Sequence, residues 1–123
     1  MQITEEKNSG RYIITGYGKG FITVNEVSYQ QNLIISPQEL VTGWNIESPG
    51  DISYTDIQVI QNWHPEIVLI GSGEKQIFPE GDLIYQFMKQ GIGCEVMDSA
   101  AACRTYNILL GESRNIAAAI LTP

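Results

Sequence analysis

Hydrophobic and polar positions change rhythm partway along the chain. In the first third, short β-branched and aromatic runs alternate with turn formers. The runs are Tyr12-Ile13-Ile14-Thr15, Phe21-Ile22-Thr23-Val24, Val27-Ser28-Tyr29 and Leu33-Ile34-Ile35, with Ile3 ahead of them. Gly16, Gly18, Gly20 and the Asn25-Glu26 pair punctuate them, which predicts β-hairpins. Residues 36–50 contain Pro37, Gly43, Pro49 and Gly50, so an irregular excursion carrying Trp44 is expected there.

The second half reads differently. Ser53 or Thr55 can cap a helix whose apolar positions Ile57, Ile60 and Trp63 recur at helical spacing before His64-Pro65 ends it. Ile67-Val68-Leu69-Ile70 is an unbroken apolar run, as expected of a strand buried on both faces, and Gly71-Ser72-Gly73 breaks it. Leu83, Ile84, Phe87 and Met88 mark a second amphipathic helix stopping at Gly91. Glu95-Val96-Met97 is a further strand, Ser99 is the expected cap of a third helix running to about Leu110, and Ile116 to Leu121 is the last strand. Helix, strand, helix, strand, helix, strand implies right-handed crossovers and a largely parallel sheet. The expected architecture is one three-layer α/β domain over 1–123, with a mixed central sheet, N-terminal hairpins and three helices.

Composition narrows the function classes. Of 123 residues, 43% are hydrophobic and 17% charged, which suits one ordinary globular domain. Seven Lys and Arg face fourteen Asp and Glu, a formal charge of −7. Between Lys19 and Lys75 there is no Lys or Arg at all. A nucleic-acid surface needs clustered cations to neutralise phosphates, so no nucleic-acid partner is expected, and attraction to an anionic membrane is disfavoured on the same ground. No apolar run approaches the length of a membrane helix and the start carries no leader pattern, so the expected location is the cytoplasm. Cys94 and Cys103 belong to different elements and are expected to be free thiols.

Candidate chemistry is sparse. Gly16-Tyr17-Gly18-Lys19-Gly20 lacks the Ser or Thr that a phosphate-cradling Gly-Lys needs, and a strand rather than a helix follows it. Gly71-Ser72-Gly73 lies at the carboxyl end of a parallel strand, where open α/β sheets bind ligands, and is weighed as a backbone anion contact against a plain tight turn. Cys103, Arg104 and Asn107 share one side of the third helix, whose start, Ser99, faces the same rim. Arg104 can grip a carboxylate or phosphate bidentately, or pair internally with Glu112 or Asp98. Asn107 can likewise bind a ligand or bond to loop backbone. Cys103 reads as a small buried group, since the sole histidine, His64, belongs to the opposite edge of the sheet. One His and two Cys without metal-ligand spacing assemble no zinc site, and no cofactor is implied.

The stretches Pro65 to Gly73, Gly91-Ile92-Gly93, Glu95 to Asp98, Ala101-Ala102-Cys103-Arg104-Thr105-Tyr106-Asn107 and Glu112 to Arg114 resemble the Mth938-like family, as does Tyr17-Gly18 through Val24-Asn25. That family consists of small uncharacterised proteins and includes a mitochondrial respiratory complex I assembly factor. Where the family usually has Gly-Thr-Gly, this chain has Gly71-Ser72-Gly73, which keeps the hydroxyl. The resemblance implies a three-layer α/β fold with a mixed sheet and no established enzymatic activity. Two functions follow as expectations. One is an interaction or assembly module that binds a partner protein or its own copy through the N-terminal sheet and Trp44. The other is a small-anion or enzymatic crevice formed by Gly71, Ser72, Gly73, Ser99, Arg104 and Asn107.

Overall fold

The computed structural model describes residues 10–123, so the expected position of Ile3 lies outside the described residues. Three antiparallel strands come first: β1 (Ile14–Gly18), β2 (Phe21–Val24) and β3 (Val27–Tyr29), paired in that order. Val24 and Val27 close the β2–β3 hairpin around Asn25 and Glu26, both at positive φ (48° and 70°). That is the backbone a two-residue loop needs to match strand twist.

Five further strands form the central sheet: β4 (Leu33–Ile35), β5 (Leu40–Thr42), β6 (Ile67–Gly71), β7 (Gly93–Met97) and β8 (Ile116–Ile120), in the order β5-β4-β8-β6-β7. β6 runs parallel to both β7 and β8, while β4 is antiparallel to β5 and β8, so the sheet is mixed as expected. The supposedly irregular stretch 36–50 therefore contains a short edge strand, β5. Every residue of β8 is buried. Its Ile116, Ala118 and Ile120 face one core and its Ala117 and Ala119 the other.

The parallel crossovers place the helices. Helix α1 (Leu83–Met88) connects β6 to β7, and α2 (Ser99–Gly111) connects β7 back past β6 to β8. The two connections travel in opposite directions across the sheet, so right-handedness puts them on opposite faces. Accordingly, Ala102, Cys103, Tyr106 and Leu110 of α2 share a core with Ile14, Ile22 and Val24 of the small sheet. Leu83 and Phe87 of α1 pack on the other face with Ile57 and Ile60. The result is three layers, with the small sheet lying beside α2.

Two helices differ from expectation. Tyr54–Trp63 is a 3₁₀ segment broken at Ile57, not an α-helix, although Ser53 does cap it through a reciprocal bond pair with Asp56. Ile57, Ile60 and Trp63 recur every third residue, and three residues per turn is the 3₁₀ period. In α1, Met88 is 61% exposed rather than part of the core face, while Leu83 and Phe87 are buried and Ile84 packs partly buried against the same core.

Candidate functional site

The Gly71-Ser72-Gly73 turn sits at the carboxyl end of β6 against the start of α2. A Cβ on Gly71 would lie 3.0 Å from Ser99 Oγ, 3.0 Å from Ile120 Cγ2 and 3.1 Å from Ala102 Cβ, so glycine permits the close helix approach. Gly73 has φ +97°, a conformation in which a side chain would be strained. Ser99 does not cap α2; Asp98 does, its Oδ1 accepting from the Ala101 N–H at 2.8 Å. The Ser99 hydroxyl is wholly buried and accepts instead from the Gly73 N–H at 2.7 Å, while the Ser99 N–H donates to the Gly73 carbonyl at 2.8 Å.

Ser72 is equally occupied. Its N–H donates to the Met97 carbonyl at 2.9 Å, and its Oγ donates to the Lys75 carbonyl at 2.5 Å and accepts from the Ile77 N–H at 2.9 Å. The groups expected to face an anion thus stitch β6, β7 and α2 together. Beside the turn lie two open clefts at the carboxyl ends of β6 and β8. One, of about 330 Å³, is bounded by Asn32, Glu47, Ser48, Gly73 and Lys75; the other, of about 390 Å³, by Lys19, Gly73, Asp98, Ala100 and Pro123.

The helix-α2 residues do not converge. Cys103 points into the core, and burial pushes its thiol up to about 12. Cys94 is also free and half-buried, its thiol raised to about 12 by burial and then by Glu95. Asn107 turns to β1, where its Nδ2 donates to the Ile14 carbonyl at 2.6 Å and its Oδ1 accepts from the Ile14 N–H at 3.1 Å. A carboxamide therefore completes the outer edge of the small sheet where a fourth strand would pair. Arg104 alone faces solvent. Its Nη1 donates to the Tyr17 hydroxyl at 2.9 Å, a bond that holds the guanidinium pKa above its usual value. Adjacent helix positions are about 100° apart, which separates Cys103 from Arg104.

Trp44 is half-buried against the α1-side core, its Nε1 buried without a partner among the described residues. The most exposed large apolar side chains are elsewhere: Phe78 at 57%, Tyr85 at 63%, Met88 at 61% and Ile108 at 60%. Tyr85 and Met88 were detectable in principle, since they lie off the side of α1 that carries Leu83 and Phe87. His64 is at the amino edge of the sheet, in a left-handed conformation that ends the 3₁₀ segment.

This fold and its motifs match known proteins. A family model described as "Protein of unknown function (DUF498/DUF598)" matches residues 14–121. The chain belongs to that family. A Bordetella pertussis protein described as an Mth938-like domain, solved by NMR, has a TM-score of 0.78 and 26% identity over 98% of this chain and 92% of that one. A crystal structure from Bordetella parapertussis has a TM-score of 0.85 and 33% identity over 93% of this chain and 98% of that one. By sequence, a "13 kDa major membrane protein" of Francisella tularensis is 34% identical over 98% of this chain and 99% of its own length. NADH dehydrogenase (ubiquinone) 1 alpha subcomplex assembly factor 3 of Danio rerio is 27% identical over 97% of this chain, and its Xenopus tropicalis counterpart is 32% identical over 91%. This chain spans 68% and 61% of those two proteins' lengths. No helix among the described residues is long and apolar enough to cross a membrane.

Proposed function

We propose that the protein is a non-enzymatic interaction module that helps assemble a protein complex. The observation that carries this reading is the similarity to assembly factors over more than nine-tenths of the chain. It extends through every layer of the fold, so the whole domain rather than one motif is shared. The side chains support it as well. The polar groups of the Gly71-Ser72-Gly73 turn and Ser99 are consumed internally, whereas Tyr85, Met88 and Phe78 present aromatic and thioether surface to solvent. Aromatic residues and Met are the types enriched where proteins meet. We place the protein in the cytoplasm, acting on protein partners.

The test is affinity purification of the full chain, tagged at low expression in its native host, with quantitative mass spectrometry. The expected result is saturable recovery of subunits of one complex, and a fall in that complex when the gene is deleted. Elution without a partner, together with unchanged complexes in the deletion strain, would refute the reading.

A further inference from the structure

The seam between β1 and α2 carries a feature that neither the fold nor the internal hydrogen bonding requires. Asn107 and Tyr106 already fasten α2 to the small sheet, through Ile14 and through the Tyr12 carbonyl. Arg104, one turn earlier, adds only an exposed bond to the Tyr17 hydroxyl. Lys19, just past the end of β1, lines the cleft of about 390 Å³ together with Glu74, Asp98 and Ala100. Ala100, Arg104 and Ile108 follow one another at four-residue spacing and so share one face of α2. In a chain of formal charge −7, this seam holds the cations Lys19 and Arg104 near the carboxylates of Glu74 and Asp98, and among the described residues neither cation is within ion-pair distance of a carboxylate. Asp98, the cap of α2, attracts Arg104 without bonding to it, so the guanidinium keeps donors free.

We propose that the Tyr17–Arg104 pair, flanked by Lys19 and Ile108, docks a carboxylate-bearing segment of a partner protein. A tyrosine hydroxyl that accepts from a guanidinium keeps its own proton to donate. A single carboxylate can therefore receive N–H bonds from Arg104 and an O–H bond from Tyr17. The remaining guanidinium donors keep the planar fork suited to a carboxylate. Ile108, 60% exposed, offers apolar contact to a neighbouring aliphatic side chain. The occupant that fits is an Asp or Glu next to a Leu-like residue. A polyanion such as RNA fits poorly, because two cations form no phosphate track. This inference rests on the reading that the protein binds partner proteins and adds where and by what chemistry.

The test is an NMR titration of the full, isotope-labelled chain with the blocked tripeptide Leu-Glu-Leu, and with Leu-Gln-Leu, which matches its shape without the charge. The expected result is saturable shifts confined to Tyr17, Lys19, Arg104 and Ile108. Affinity should fall about tenfold or more for the Gln peptide and for Arg104→Gln, the size of one charge-assisted bond, and by less for Tyr17→Phe. Both side chains are exposed, so the variants should fold. Absence of saturable shifts, equal response to the Gln peptide, or unchanged binding by Arg104→Gln would overturn the proposal. So would inorganic phosphate acting as strongly as the Glu peptide, which would make the seam a general anion site. Failed copurification with a successful titration would remove the assembly reading and leave the seam; the reverse would remove the seam alone.

Discussion

Replacing Asn107 by Ala should loosen the hold of α2 on the small sheet, and the cost can be worked from two bonds. The carboxamide satisfies both the N–H and the carbonyl of Ile14, at 3.1 and 2.6 Å, and Ile14 is only 4% exposed. Removing one partner from a buried backbone group costs about 1–3 kcal/mol. Two such groups, less the side-chain freedom Asn107 regains and any water that enters, give about 2–4 kcal/mol. For a chain of this length that lowers Tm by about 8–16 °C. Asn107→Asp keeps an acceptor for the Ile14 N–H but turns a second oxygen towards the Ile14 carbonyl, so it should be destabilised to a comparable degree. Urea melts followed by circular dichroism measure the loss, and hydrogen exchange at the Ile14 amide should accelerate in Asn107→Ala. A change below about 0.5 kcal/mol, with Ile14 still protected, would refute the clamp and restore Asn107 as a candidate ligand contact.

Gly71→Ala forces a methyl to within 3.0–3.1 Å of Ser99, Ile120 and Ala102, so α2 must shift outward; a loss of about 1–3 kcal/mol is expected by chemical denaturation. A variant as stable as the parent would show that the helix start yields freely. Burial holds Cys103 at about 12 against an ordinary value of 9.0, so the unfolded chain releases its proton first and stability is lost as pH rises through that interval. At about pH 10 this amounts to about 1 kcal/mol, and Cys103→Ala should flatten the alkaline slope of stability relative to the parent chain. Parallel slopes would contradict it.

What was legible in the residues was whatever depends on near neighbours. The apolar run Ile67-Val68-Leu69-Ile70 became the buried strand β6, and Asn25-Glu26 became the tight hairpin turn. Ser53, weighed beside Thr55 as a cap, does cap the 3₁₀ segment, through Asp56 three residues on. Errors arose where a distant group decides. Ser99 and Asp98 can each cap a helix, and the choice follows from Gly73, which claims the Ser99 hydroxyl. Asn107 and Arg104 have similar chemistry on a bare helix, and only the arrival of Ile14 and Tyr17 from the far end of the chain separates a clamp from a solvent-facing cation. The 3₁₀ segment was missed because a spacing of three satisfies both helix types over so short a stretch.

The place of β8 in the sheet bears on how the protein comes into being on the ribosome. This strand lies between β4 and β6, yet it follows both in the chain and is the last of the described strands. β4 can pair with β5 and β6 with β7 beforehand, but the facing edges of β4 and β6 stay open until Leu33 meets Ile120 and Leu69 meets Ala118. Until then the two halves of the sheet expose apolar edges with nothing between them. Closure is a single late event that joins both halves, a topology that folds slowly and leaves unfinished chains prone to stick to one another.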